Sequence, residues 1–266
     1  MPSSSLQLVG GHKDSIELDE DDLLIKTTNK TELEFYQSVN IAHPIFAHIP
    51  QFYGMLTLQA GEQNVDAPKE AIVLENLTDY FSIPNICDIK LGKILYDDDA
   101  TEEKRERMIK SAMDTTSYST GMRFTGFKVW NSKTKSYETT GKEYGKSIKS
   151  HELQEALRKF IPTPHTLTLE QLKLVVSSIL KQVQEIRDAV KIMPFRAISS
   201  SLLIVHEADS EDFLEEQAAM VKLIDFAHTR LTPDDSLPDT NILLGINTLI
   251  DLLYSYNDYI NEEVDY

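Results

Sequence analysis

Hydrophobic positions along the chain change their period several times, and each change marks an element. LLIK at 23–26 reads as a strand ending in Lys26. In TELEFYQSVN, residues 31–40, the apolar Leu33, Phe35, Tyr36 and Val39 gather toward one side of a short helix. FYGMLTL at 52–58 and AIVLEN at 71–76 are strand-like runs separated by polar sequence containing Gly and Pro. Together they predict a small, mostly antiparallel lobe ending near Asn76. ICDIKLG follows as a strand, and Asp99 with Glu102 three positions later predicts a capped helix start, running to about Asp114. MRFTGFKVW at 122–130 alternates as a further strand. Behind Thr168 and Gln171, which fit a capping box, Leu169, Leu172, Val176, Ile179, Val183, Ile186 and Val190 recur at helical spacing and predict a core helix. SLLIVHE at 201–207 and MVKLIDFA at 220–227 read as two strands joined by the acidic hairpin loop ADSEDFLEEQ, and ILLGINTLIDLLYSY reads as an apolar helix. Strands and helices mixed in two unequal parts predict an α+β bilobal fold, with 1–76 as the small lobe and 77–266 as the larger mixed lobe.

Composition narrows what such a fold can bind. Apolar residues make up 41% of 266, enough for a substantial core. A formal net charge of −17 disfavours broad attraction to nucleic acid, so no direct nucleic-acid binding is expected, and an anionic ligand must be met by a local cluster of cations. The single cysteine, Cys87, excludes an internal disulfide and a Cys-based zinc site, and fits a reducing compartment, cytosol or nucleus. There is no secretory pattern and no run near the ~18 apolar residues of a membrane span, so a soluble intracellular protein is expected.

Candidate chemistry lies at four places. Side chains alternate along a strand, so Asp88, Lys90 and Gly92 share one face, with Asp88 and Lys90 roughly 6–7 Å apart along the chain. A half-exposed salt bridge is the structural alternative for that pair. On the helix that follows, Lys104, Arg107 and Lys110 fall within an arc of about 120°, opposite Met108, Ile109, Ala112 and Met113. Glu103 lies inside the arc and Glu106 borders it. The stripe is either a solvated face or a grip for a multiply phosphorylated ligand, since clustered Lys and Arg can pair with several phosphates. In KLIDFAHT, Asp225 ends a strand and His228 follows three residues later. A strand-end aspartate suits Mg²⁺, which needs only one or two carboxylates beside phosphate oxygens and water; a cap for the next turn is the alternative. Lys26, with Glu32 or Glu34 on the helix beyond, matches the way protein kinases hold ATP phosphates. There is no G-x-G-x-x-G, and GGHK at 10–13 stands where a loop over nucleotide could lie.

Taken together these residues resemble the inositol polyphosphate kinase family. Its signature P-x-x-x-D-x-K-x-G stands here as Pro84, Asp88, Lys90 and Gly92, and Ser-Ser-Leu-Leu at 200–203 and Ile-Asp-Phe-Ala-His at 224–228 follow in the family's order. ELEFY at 32–36 and ENLT at 75–78 extend the likeness over most of the chain. Within the family the compact segment 93–121, with K-x-L-Y-D and then A-x-x-E-K-R-E-R-M, is most similar to the multikinases, particularly the fungal form. The N-terminal regulatory extension associated with trisphosphate 3-kinases is therefore not expected, and the long acidic insert before I-D-F is reduced to 208–219.

The resemblance implies an ATP- and Mg²⁺-dependent kinase acting on inositol 1,4,5-trisphosphate and its tetrakisphosphate product. It implies that Lys26 contacts ATP phosphates and pairs with Glu32, that the main chain at Glu75 and Leu77 meets adenine, and that Asp88 holds ribose hydroxyls. Lys90 would lie near the transferred phosphate, Asp225 with Ser201 would hold the metal, and Lys104, Arg107, Lys110 and His228 would face the inositol phosphate. Soluble inositol phosphates are the expected partners, with phosphoinositide headgroups and transcription factors as further ones, and nucleus and cytoplasm as the location. The alternatives are an inositol hexakisphosphate kinase or a trisphosphate 3-kinase of the same family, or a non-catalytic kinase-fold scaffold.

Overall fold

Two antiparallel sheets carry the functional segments, and how each is covered explains its burial. The structure is a computed structural model that describes residues 16–58, 69–162, 167–209, 211–232 and 238–262. GGHK at 10–13 lies outside the described residues. In chain order the elements are β1 (Ile16–Leu18), β2 (Leu24–Thr27), α1 (Lys30–Ser38), β3 (Phe52–Leu58), β4 (Lys69–Leu74), β5 (Pro84–Leu91), α2 (Glu102–Met113), α3 (Thr116–Thr120), β6 (Met122–Asn131) and β7 (Ser136–Thr140). Then come α4 (Lys142–Ser147), α5 (Leu153–Phe160), α6 (Leu169–Val190), β8 (Phe195–Ala197), β9 (Ser201–Glu207), β10 (Ala219–Ile224), β11 (Thr229–Leu231) and α7 (Thr240–Glu262). This is the expected α+β architecture.

The first sheet has the order β1-β2-β4-β3, all antiparallel. The second has the order β10-β9-β5-β6-β7, also antiparallel throughout, and β8 with β11 forms a two-stranded ribbon. β5 is the central strand of the second sheet. It is buried along nearly its whole length, Lys90 being the one half-buried residue, because α7 and α5 cover it as its neighbours do. Cys87 is wholly buried, as expected of a core thiol.

α6 and α7 supply the largest apolar faces. α6 begins at the expected box, with the Thr168 hydroxyl accepting from Gln171 N and Gln171 Oε1 accepting from Thr168 N at 2.9 Å. Its buried residues include Val176, Ile179, Val183 and Ile186, which face Ile246, Leu249 and Leu253 on the α7 side of the core. Each such side chain contributes about 1.5–3 kcal/mol on burial. α1 is tied to the second half of the molecule through Phe35, which stacks on Phe226 at 3.8 Å between ring centroids and meets Phe195 edge-on at 5.3 Å.

Several boundaries differ from expectation. α2 is capped by Thr101, whose hydroxyl accepts from Lys104 N, while Asp99 pairs with Arg230 instead. The strand expected over 220–227 stops at Ile224, because Asp225 takes a left-handed φ of 65° and turns the chain. α2 buries only Ala112; Ile109 and Met113, expected on a packed face, are exposed. The polar helices α3 and α4 and the half-exposed strand β7 carry too little apolar periodicity to be read from sequence.

Candidate active site

Lys26, on β2, is held by two carboxylates from distant parts of the chain. Its Nζ lies 2.8 Å from Glu32 Oε1 and 2.7 Å from Asp225 Oδ1. Glu32 is 2% exposed and fully committed, since Oε2 accepts from the Thr28 hydroxyl at 2.8 Å and Oε1 also accepts from Phe226 N at 3.1 Å. Asn29 caps α1 by accepting from Glu32 N, and its amide donates to Ala227 O at 3.0 Å. One glutamate therefore fixes the strand lysine, the start of α1 and the turn after Asp225. Of the two candidates, it is Glu32 that pairs; Glu34 instead lies 3.4 Å from Lys30. Burial alone would depress the Lys26 ammonium, but Asp225 and Glu32 more than reverse this and hold it above its ordinary value. Burial likewise pushes the Asp225 carboxyl up, and the charge and hydrogen bond of Lys26, with Lys90 behind, bring it below the ordinary value. The Asp225 side chain is 41% exposed, and its Oδ2 makes no hydrogen bond among the described residues.

Asp88 and Lys90 sit beside this cluster. Register places Lys90 opposite Ser201 in β9 and Arg123 in β6, and Ser201 opposite Ile224, the residue before Asp225. Ser201 is 2% exposed and forms the bridge between β5 and the Asp225 turn. Lys90 Nζ donates to Ser199 O at 2.9 Å, and burial lowers its pKa against the opposing pull of Asp225 and Asp88. The β-bulge opposite Asp88 and Ile89 places its extra residue, Thr125, on β6, so β5 keeps its two-residue alternation through Leu91, and Gly92, with a φ of +89°, lies just past the strand end. Asp88 is 5% exposed, with Oδ1 buried and unpartnered among the described residues. Burial, and then the charge of Asp225, raise its pKa to about 7, against the opposing effects of Lys90 and the nearby hydroxyls of Ser201 and Thr125. Arg123 was not singled out from the sequence. Its Nη1 is buried without a hydrogen-bond partner among the described residues, beside Asp88 and Lys90, and burial lowers its pKa.

The basic helix is tied to the Asp225 turn through Asp97, the aspartate of K-x-L-Y-D, for which the sequence suggests no partner. Asp97 Oδ2 lies 2.8 Å from His228 Nδ1 and 3.7 Å from Lys104 Nζ, and Oδ1 lies 3.8 Å from Arg230 Nε. Asp97, Asp99, His228 and Arg230 line a cleft of about 500 Å³ whose other side includes Asn29, Thr31 and Glu34. Arg107 and Lys110 are exposed and have no ion pair among the described residues. The structure thus brings Lys104 to His228 and leaves Arg107 and Lys110 free on the same helix.

The link between the two sheets has its own anchors. Glu75 accepts from Gln51 N at 3.0 Å and from the Tyr80 hydroxyl at 2.8 Å, a hydrogen bond that pushes Tyr80 up to about 12. Leu77 packs on Phe81, Ile86 and Val205, and the Glu207 carboxylate accepts from Ser82 N and Ile83 N at 2.8 and 3.0 Å. The Glu75 carbonyl and the Leu77 N–H enter no hydrogen bond among the described residues.

A kinase-like lysine, glutamate and aspartate, joined to the D-x-K strand and a basic helix, coincide with a match of residues 71–254 to the family described as inositol polyphosphate kinase. The chain belongs to that family. An inositol polyphosphate multikinase of Schizosaccharomyces pombe is 30% identical over 252 residues, covering 90% of this chain and 92% of its own. A multikinase of Saccharomyces cerevisiae is 28% identical over 343 aligned positions, covering 92% and 96%. That alignment is longer than the present chain, so the S. cerevisiae relative carries additional residues; the S. pombe alignment shows no such excess. Among solved structures, the inositol phosphate multikinase of S. cerevisiae in complex with ADP and Mn²⁺ superposes with a TM-score of 0.76 at 32% identity, covering 88% of this chain and 98% of the other. As a member of the inositol polyphosphate kinase family, this chain is an inositol phosphate kinase.

Proposed function

We propose that this protein transfers the γ-phosphate of ATP, with Mg²⁺, to hydroxyls of inositol 1,4,5-trisphosphate and of its tetrakisphosphate product. The observation that carries the reading is the junction of Lys26 with Glu32 and Asp225, which sets a strand lysine, a helix glutamate and a metal-type carboxylate in one cluster. The unbonded Glu75 carbonyl and Leu77 N–H suit an adenine edge. Lys26 meets the ATP phosphates, and Asp88 takes the ribose hydroxyls through the carboxylate oxygen other than the sealed Oδ1.

Asp225 fits a divalent cation: it is ionised and 41% exposed, its Oδ2 makes no hydrogen bond among the described residues, and Ser201 stands on the adjacent strand. Among the described residues no three His, Cys, Asp or Glu side chains converge on a metal, and Mg²⁺ bound with phosphates does not need them. When bound, the ion supplies charge neutralisation on the phosphate oxygens. Lys90 and Arg123 add fixed positive charge where the phosphoryl group passes, which lowers the barrier without reorganisation of solvent. Lys104, Arg107, Lys110 and His228 hold the inositol phosphate so that one hydroxyl lies in line.

The division into a phosphate-binding lobe at 1–76 and a catalytic lobe from 77, with 93–121 as the inositol-phosphate segment, belongs to the same proposal. So do nucleus and cytoplasm as the location, supported by the buried free thiol of Cys87. No helix among the described residues is long and apolar enough to cross a membrane.

The test is chromatography of products after incubating the purified chain with ATP, Mg²⁺ and, separately, inositol trisphosphate, tetrakisphosphate and hexakisphosphate. Successive formation of tetrakis- and pentakisphosphate from the trisphosphate is expected. Turnover of hexakisphosphate alone, or none at all, overturns the assignment.

A further inference from the structure

The segment between β5 and β6 leaves and re-enters the second sheet at two glycines that touch. Gly92 N donates to Gly121 O at 2.7 Å, which closes the neck of the 93–120 excursion carrying α2. α7 lies across both sides of this neck. On the outgoing side, Asn241 Oδ1 accepts from Lys93 N at 3.0 Å and from Ile94 N at 2.9 Å, while Nδ2 donates to Ile94 O at 3.0 Å. On the returning side, the Thr248 hydroxyl donates to Thr120 O at 2.7 Å, and a β-carbon on Gly245 would strike the Gly121 carbonyl.

Gly92 is the last residue of the P-x-x-x-D-x-K-x-G signature, and its surroundings say why a side chain is excluded there. Its φ is +89°, and a β-carbon would lie 3.0 Å from Asn241 Cγ and closer still to Nδ2. The group that approaches this glycine is the Asn241 carboxamide. The sequence places Gly92 on the face of Asp88 and Lys90; the structure sets α7 against it.

We propose that Asn241, seated on Gly92, is a positioning residue that sets the direction in which the chain leaves β5, and so where Lys104 and Arg107 stand relative to Asp88, Lys90 and Asp225. The inference rests on α2 being the inositol-phosphate side of the site. Asn241 itself touches no residue of the Lys26 cluster in the hydrogen bonds it makes, so its effect falls on one substrate alone. Three hydrogen bonds from one carboxamide to two consecutive residues fix both position and orientation there, where an apolar contact would fix position only.

The experiment compares Asn241→Ala, Asn241→Asp and the double variant Lys104→Ala/Arg107→Ala, with steady-state kinetics in ATP–Mg²⁺ and inositol 1,4,5-trisphosphate. Asn241→Ala is expected to raise KM for the trisphosphate about five- to tenfold with KM for ATP unchanged, as misplacement of binding groups does. Asn241→Asp, which keeps the acceptor for Lys93 N and Ile94 N, is expected to recover part of the loss. Amide exchange should rise over 93–113 in Asn241→Ala and stay unchanged in β5 and β9, a readout independent of turnover and one that separates a local release from general unfolding. An equal rise in both KM values, or exchange that rises across β5 and β9 as well, overturns the proposal. If the double variant raises the trisphosphate KM and Asn241→Ala does not, the joint fails while the substrate assignment stands; if neither raises it, the substrate assignment fails first.

Discussion

The two ends of the site are built differently. At the Lys26 end, Glu32 is 2% exposed and its carboxylate is joined to three groups, the Lys26 ammonium, the Thr28 hydroxyl and Phe226 N, while its own amide donates to the Asn29 cap. At the α2 end, one buried carboxylate, Asp97, gathers Lys104, His228 and Arg230 at 2.8–3.8 Å, and Arg107 and Lys110 stand in solvent. The Lys26 and Glu32 charges are already largely out of water, so their field needs little rearrangement when phosphate arrives. Charges at the second end keep their water and lose it to the ligand. The first arrangement suits a chemical step common to every acceptor, and the second suits recognition of inositol phosphates that differ in where their phosphates sit.

Removing the reactive end should have the largest effect. Asp225→Asn keeps an acceptor for Lys26 and removes the charge. Turnover is expected to fall by about 10³-fold or more, with the urea midpoint nearly unchanged. A variant that retains activity would separate Asp225 from the metal role.

Glu32→Ala attacks the same end through its support. It leaves Lys26 with one carboxylate and Phe226 N without its acceptor, and breaking a buried pair from one side costs about 3–5 kcal/mol. Urea denaturation should show a loss of that size alongside loss of turnover. A change below about 1 kcal/mol would mean that the buried end is less tightly joined than its geometry indicates.

Asp88 gives the comparison a pH signature. Its carboxyl stays protonated in the folded chain up to about pH 7, whereas in the unfolded chain the group ionises near its ordinary value of about 4. Between those values the folded state holds the extra proton, so the contribution of this residue to stability is full below about pH 4 and is lost as pH rises toward 7. Asp88→Asn should flatten that fall and be more stable than the parent near pH 7.5, measured by urea midpoints without nucleotide. An unchanged slope would show that the carboxyl is already ionised in the folded chain.

How legible each end was in the sequence follows the same division. Lys26, Asp88, Lys90 and Asp225 lie at strand positions with period two or at strand ends, and the long helix α6 was capped where Thr168 and Gln171 predicted. Asp97 stands in K-x-L-Y-D but nothing local gives it a partner, and Arg230 carries no mark at all: the two meet only through the fold, and an aspartate in the run DDD reads as a solvated cap. The capping box at Asp99 failed because Thr101 competes for the same backbone donors and Asp99 has Arg230 instead. Arg123 was passed over because alternation says which face a residue takes and not what lies beneath it. The role of Gly92 could not be seen either, since Asn241 reaches it only through the packing of α7.

The most direct test of the division is the kinetics of Lys104→Ala/Arg107→Ala in both substrates. KM for inositol trisphosphate should rise about tenfold or more, with KM for ATP and the urea midpoint held within experimental error, because Arg107 is exposed and Lys104, half-buried, pairs among the described residues only with Asp97 at the α2 end, so neither supports the buried end. Equal rises for ATP and inositol trisphosphate, or no rise for either, would contradict a site whose nucleotide end is built into the core and whose inositol end is carried by α2.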